Sequence, residues 1–152
     1  MKTNSIKHIA VFTSGGDSPG MNATLYAIAK ASEANGIKLS GIRKGYEGVI
    51  DGDLVSLNSN ELKNVTQKGG TILKTARSKR FMELEGRKKA LQTLKTNNID
   101  ALIAIGGDGT FKGLLAFSEI CDIPFIGIPG TIDNDISGTD YPLGFTSLFI
   151  QD

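Results

Sequence analysis

Three short runs of this chain are apolar almost throughout, and each ends on a glycine-rich turn. Ile9–Phe12 leads into Thr13-Ser14-Gly15-Gly16-Asp17-Ser18-Pro19-Gly20, and Ile99–Ile105 leads into Gly106-Gly107-Asp108-Gly109-Thr110. Pro124–Ile128 leads into Pro129-Gly130-Thr131-Ile132-Asp133-Asn134-Asp135. Runs this short and this apolar read as strands buried on both faces. Helical periodicity fills the intervals. Met21, Leu25, Ile28 and Ala29 predict a helix from Met21 to Asn35, closed by Gly36. Leu84, Ala90, Leu91 and Leu94 predict a second from Met82 to Asn97, and Phe111, Leu114 and Leu115 a third ending near Ile120. Buried strands alternating with helices give an α/β fold, doubly wound, with a mostly parallel sheet and helices on both faces. Ligands bind such sheets beyond the carboxyl ends of the strands, so the three turns should converge there.

The remaining segments carry weaker patterns. Ile37–Ile42 is a plausible second strand, and Val49–Leu57 reads as a short hairpin around Asp51-Gly52. Asn58-Ser59 caps a short helix to about Gln67, and Gly69–Leu73 is a further short strand before the basic loop Lys74–Arg80. The 152-residue length fits a single domain with a real core. A net charge of +1 leaves no basic stripe, which argues against nucleic acid or an acidic membrane as partner. Cys121 is the only cysteine, so no disulfide framework exists and a reducing cytosol suits the chain. With His8 the only histidine, zinc sites and histidine-based triads are not expected. The first apolar run, Ile9–Phe12, is too short for a signal peptide or a membrane span, so the expected location is cytoplasmic.

The turn Gly106–Thr110 lies between a strand and a helix N-terminus, where free N–H groups and the helix dipole favour an anion. Gly107 and Gly109 let a phosphate approach the backbone, while Asp108 repels it unless a cation intervenes. Mg²⁺ takes carboxylate, water and phosphate oxygens, which makes Asp108 a magnesium partner. A tight turn with a capping aspartate is the other reading. Gly15-Gly16-Asp17 adds a second phosphate-compatible loop, and neither loop is a Walker A motif. Asp133 and Asp135 point the same way in an extended loop, an arrangement suited to a general base beside a metal-holding carboxylate. Asx turns explain that loop equally well. Arg77 is placed to clamp a phosphoryl group; a solvated surface is the commoner fate of such a run and is the reading taken for Lys79. Tyr46 either lays its ring against a nucleotide base or marks an exposed turn. His8 and Cys121 read as structural or incidental.

In order and spacing, Thr13–Ala23, Gly69-Gly70-Thr71, Ile105–Thr110 and Pro129–Asp135 resemble the N-terminal part of bacterial ATP-dependent 6-phosphofructokinases, from about Lys7 to Phe145. The resemblance implies transfer of the ATP γ-phosphoryl group to the 1-hydroxyl of fructose 6-phosphate, with Mg²⁺, in glycolysis. It implies Asp133 as catalytic base, Asp108 as magnesium aspartate, Asp135 as an acidic partner near metal and substrate, and Thr131 at the sugar end. Gly16, Tyr46, Arg77, Ser78, Gly107, Asp108, Gly109 and Thr110 match nucleotide and phosphate contacts. Gly109 and Gly130 stand where pyrophosphate-using relatives carry Asp and Lys, which implies ATP as donor. Tyr26, Lys30 and Ser59 stand where the family's effector pocket carries arginines.

The resemblance further implies a homotetrameric parent, a nucleotide-binding domain over residues 1–145 and a divergent tail over 146–152. The chain is thus expected to be truncated, incomplete relative to the family fold, and inactive as an isolated fragment. Two other readings compete. One is a kinase of the NAD kinase or diacylglycerol kinase group, which shares a GGDG turn but not the segments Thr13–Ala23 and Pro129–Asp135. The other is a non-catalytic nucleotide-binding or interaction fragment.

Overall fold

Along β1 (His8–Thr13) successive side chains point to opposite faces and sort the core into two layers. The computed structural model describes residues 6–14, 20–65 and 72–130. After β1 come α1 (Met21–Ala34), β2 (Lys38–Ile42), α2 (Gly45–Asp51), β3 (Leu54–Ser56) and α3 (Ser59–Lys63). A 3-10 turn at Arg80–Met82 precedes α4 (Leu84–Thr96), β4 (Ala101–Gly106), α5 (Asp108–Phe117) and β5 (Phe125–Pro129). Ile9 and Val11 pack with Met21, Leu25 and Ile28 of α1 and with Leu62 of α3. Ala10 and Phe12 pack on the other side with Val49 and Ile50 of α2, Leu94 of α4, and Leu114 and Phe117 of α5. Strand β4 repeats the alternation, with Ala101, Ile103 and Ile105 in the first layer and Leu102 and Ala104 in the second. Helices therefore cover both faces, and that is why the central strands are apolar without a polar phase.

The described strands form one sheet in the order β3-β2-β1-β4-β5. Every pairing is parallel except β2 with β3. The chain leaves β1 through α1 toward β2 and later enters β4 on β1's other side. The winding reverses between β1 and β4, and in open α/β sheets the crevice beyond the carboxyl ends at that reversal is where ligands bind. The last β1–β4 pair is Thr13 with Ile105, and the last β4–β5 pair is Gly106 with Pro129.

Several local expectations are corrected. Val49–Leu57 is not a hairpin, because its first half belongs to α2. Lys44 (φ 67°) and Gly45 (φ 58°) turn the chain out of β2, and Gly52 (φ 74°) closes the helix. Only then does β3 return antiparallel to β2, with Ser40 opposite Ser56. Of the strand expected at Gly69–Leu73, Ile72 and Leu73 form a turn, and residues 69–71 lie outside the described residues. The Leu73 carbonyl accepts from Lys44 N at 2.9 Å, and its side chain lies over Gly41, where a Cβ would approach it to 2.7 Å. Helix α3 ends at Lys63 instead of near Gln67, although Asn58 caps it as expected, accepting from Glu61 N at 2.9 Å. The division expected at residue 145 falls outside the described residues.

Candidate functional site

Three segments meet at Gly106. Ser14 N donates to Ile105 O at 2.8 Å, and Gly130 N donates to Gly106 O at 2.8 Å. A Cβ on Gly106 would stand 2.8 Å from Ser14 O and 2.2 Å from Thr110 Oγ1, and one on Gly130 would stand 3.5 Å from Gly106 Cα. The start of the β1 turn, the β4 turn and the exit of β5 thus touch at the winding reversal. Gly16, Thr131, Asp133 and Asp135 lie outside the described residues.

Gly107 takes the N-cap position of α5 in an extended conformation, and among the described residues no side chain caps the helix. The first-turn N–H groups are therefore left to solvent or a ligand. Gly107, Asp108 and Gly109 are exposed, and a Cβ on either glycine would meet none of the described residues within 4 Å. Asp108 opens the helix without capping it, so the alternative of a capping aspartate does not hold. Thr110 is 3% exposed, and its Oγ1, packed against Gly106, finds no hydrogen-bond partner among the described residues. The described residues hold no group of three metal-binding side chains. A single hard carboxylate beside a turn open to phosphate fits Mg²⁺, which keeps most of its shell as water and phosphate oxygens.

Tyr46 departs from both readings of it. It is 8% exposed, with its ring stacked on Phe81 at 3.9 Å and tilted against Phe12 at 4.8 Å. The ring is built into the second core layer, and neither an exposed turn nor a base platform describes it. Its hydroxyl donates to Thr110 O at 2.5 Å. Burial pushes the phenol pKa well above its ordinary value, so the group stays a neutral donor.

The segment 72–80 is fastened along the same sheet edge. Ile72 N donates to Asn22 Oδ1 at 3.0 Å, and Thr13 Oγ1 donates to Lys74 O at 3.2 Å. A Cβ on Gly45 would lie 3.3 Å from Thr13 O and 3.7 Å from Ala76 O, which sets residue 76 beside the end of β1. Arg77 follows, exposed and without an ion pair among the described residues. Ser78 does not stand free for a phosphate. Its hydroxyl bonds the Glu47 carboxylate and accepts from Phe81 N at 3.1 Å. Arg80 pairs with Glu47 at 2.6 Å and with Asp51 at 3.0 Å. Lys79 is exposed, as expected.

Asn22 and Glu47 were missed as site-shaping residues. Glu47 and Asp51 sit four apart on one helix face, a pattern that called for a cation from elsewhere in the chain. Asn22, buried in the first turn of α1, gave no such signal. Away from the site, His8 Nε2 lies 2.8 Å from Ser40 Oγ, and half-buried Cys121 has its thiol pKa raised by burial. Neither adds to the crevice.

The chain matches the family described as Phosphofructokinase over residues 8–149. It is 52% identical over 140 residues to ATP-dependent 6-phosphofructokinase 1 of Thermus thermophilus, covering 92% of this chain and 44% of that protein. Identity to ATP-dependent 6-phosphofructokinase 2 of Bacteroides thetaiotaomicron is 48% over 141 residues, covering 93% of this chain and 43% of that protein. The crystal structure of Pichia pastoris phosphofructokinase in the T-state superposes with a TM-score of 0.78 at 36% identity, over 96% of this chain and 17% of that one. The chain spans less than half the length of the curated relatives it matches. The NAD kinase and diacylglycerol kinase reading is set aside by a match that runs from β1 through both glycine turns and beyond β5. Sequence, strand order and the crevice at Gly106 lead to one conclusion: this chain belongs to the phosphofructokinase family.

Proposed function

We propose that this chain is the nucleotide-binding part of an ATP-dependent 6-phosphofructokinase, which moves the ATP γ-phosphoryl group to the 1-hydroxyl of fructose 6-phosphate. The observation that carries this reading is the uncapped N-terminus of α5 at the winding reversal, open above Gly107 and Gly109 and carrying Asp108. Backbone N–H groups there receive phosphate oxygens. Asp108 would hold Mg²⁺ directly or through water, and the ion would neutralise charge on the β- and γ-phosphates. Asp133 takes the proton from the attacking sugar hydroxyl, Asp135 supports metal and substrate, and Thr131 contacts the sugar. Gly16 completes the phosphate cradle from the β1 turn, and Arg77 supplies a positive charge to the transferring group.

No helix among the described residues is long and apolar enough to cross a membrane. A cytoplasmic location, a homotetrameric parent and the absence of nucleic-acid partners belong to the same proposal. The test has two arms. Titrating the chain with MgATP is expected to show binding that Gly109→Asp abolishes. A coupled assay with fructose 6-phosphate, on a full-length enzyme completed from this chain with the remaining length of a family member, is expected to lose about 10²–10⁴-fold in turnover with Asp133→Ala. A chain blind to MgATP, or turnover indifferent to Asp133→Ala, overturns the reading.

A further inference from the structure

We propose that Glu47 is a positioning residue, whose carboxylate grips the 74–80 loop through Ser78 and Arg80 and so sets Arg77 at the phosphate turn. The inference rests on the nucleotide-binding reading above and names a residue that does not itself touch nucleotide.

Helix α2 carries two adjacent side chains that reach two different parts of the crevice. Tyr46 bonds the first turn of α5 through Thr110 O. Glu47 takes the Ser78 hydroxyl on one oxygen and the Arg80 guanidinium on both, with Nη2 at 2.6 Å and Nε at 3.4 Å. The same Ser78 oxygen caps the following 3-10 turn at Phe81 N, and Phe81 stacks back on Tyr46 at 3.9 Å. Glu47, Ser78, Phe81 and Tyr46 therefore close a ring of contacts, and α2 works as a strut between the phosphate turn and the basic loop.

Charge separates the roles of the loop's cations. Of Lys74, Arg77, Lys79 and Arg80, Arg80 alone is neutralised among the described residues, by Glu47 and by both oxygens of Asp51 at 3.0 Å. A guanidinium committed to two carboxylates has little left for a phosphate, so Arg80 anchors. Arg77 stands between two fixed points, the Lys74 carbonyl held by Thr13 and the Ser78 hydroxyl held by Glu47. Holding a flexible cation in its working place before the ligand arrives removes an ordering cost from binding. Hydrogen bonds from Arg80 and Ser78 keep the Glu47 carboxyl below its usual range, so the grip is ionised at neutral pH.

The test is a calorimetric titration of the full chain with MgATP, in wild type, Glu47→Ala, Ser78→Ala, Arg77→Ala and the two double variants that include Arg77→Ala. Each single variant is expected to weaken binding about tenfold, the scale of one charge-assisted contact. Each double variant is expected to bind like Arg77→Ala alone, because Glu47 and Ser78 act through Arg77. Glu47→Gln keeps one acceptor oxygen for Ser78 but turns an amide N–H group toward Arg80 Nη2, so it is expected to recover only part of the loss. Should Glu47→Ala fail to fold, Ser78→Ala removes the hydroxyl half of the grip, leaves Glu47 paired with Arg80, and decides the matter with its double variant. Wild-type affinity in Glu47→Ala or Ser78→Ala, or losses that persist in the Arg77→Ala background, overturns the inference. Wild-type chain that ignores MgATP instead overturns the functional reading beneath it.

Discussion

The phenol of Tyr46 donates to the main-chain carbonyl of Thr110 at 2.5 Å, joining α2 to the first turn of α5. Gly113 makes the approach possible, since a Cβ there would stand 2.7 Å from the phenolic oxygen. Tyr46→Phe keeps the stack on Phe81 and removes only this bond. A buried hydrogen bond contributes about 0.5–1.5 kcal/mol net. A loss of that size lowers the melting temperature of a chain this long by about 1–6 °C. MgATP affinity is expected to fall as well, because the turn it holds is the phosphate site. Thermal melts and titrations of the variant check both; an unchanged Tm and affinity would sink the idea.

A second prediction concerns pH. Burial, and next the charge of Lys38, hold the His8 pKa below its ordinary value of about 6.5. Within that window the unfolded chain binds the proton more readily than the folded one. Stability is therefore full above about pH 6.5, falls as pH drops through that value, and levels below the folded pKa. Denaturant midpoints are expected to be lower near pH 5.5 than near pH 7.5, with the slope removed in His8→Asn. No other histidine exists to mimic the effect. A slope that survives in His8→Asn refutes the assignment.

The strands and the phosphate turn were legible because they rest on local signals. Ile9–Phe12 and Ile99–Ile105 are apolar on both faces, and glycine after such a strand has few other uses. Helix α2 was hidden because Gly45 and Gly48 lie inside it, and its apolar residues Tyr46, Val49 and Ile50 span too few turns to establish a period. Gly48 is there for packing, since a Cβ would fall 1.7 Å from Arg43 O. The burial of Tyr46 depends on Phe81 and Gly113, both remote in sequence, and no local pattern reports a contact of that kind. The bond from Ser78 to Glu47 was out of reach for the same reason: Glu47 sits on a helix that the residue pattern did not reveal.

A third prediction follows from Glu33, whose carboxylate accepts from Ser59 N at 2.8 Å and from Ser59 Oγ at 2.7 Å. These bonds hold its pKa below the usual range, so a fixed negative charge fastens α3 to α1. Ser59, with Tyr26 and Lys30, stands where the family resemblance implies arginines for phosphorylated effectors. Tyr26 and Ser59, without a guanidinium, each forgo about 1.5–3 kcal/mol of phosphate binding, Lys30 keeps only a single point charge, and the Glu33 carboxylate repels the ligand further. In a full-length enzyme completed from this chain with the remaining length of a family member, phosphoenolpyruvate and purine diphosphates are expected to regulate only weakly. Sub-millimolar regulation in a titration with each effector would show that other residues rebuild the pocket.

The last prediction separates three neighbouring glycines by what surrounds them. Gly106→Ala sets a Cβ 2.2 Å from Thr110 Oγ1 and 2.8 Å from Ser14 O, closer than real contacts allow. The threonine hydroxyl can rotate, but the Ser14 carbonyl belongs to backbone held by its own bond to Ile105, so the two turns must part. Overpacking of this kind costs about 1–3 kcal/mol and displaces the phosphate turn with it. Gly107 and Gly109 differ, because a Cβ on either meets none of the described residues within 4 Å and neither has a positive φ. Gly109→Ala lies in the first turn of α5 and gains up to about 1 kcal/mol of helix propensity. Its methyl group, however, occupies the space through which a phosphate reaches the backbone. Melting curves and MgATP titrations on the same preparations are expected to split accordingly: Gly106→Ala loses stability and binding together, while Gly107→Ala and Gly109→Ala lose binding alone. Wild-type affinity in Gly109→Ala would remove the phosphate from this turn, and a wild-type Tm in Gly106→Ala would refute the packing of the crevice floor.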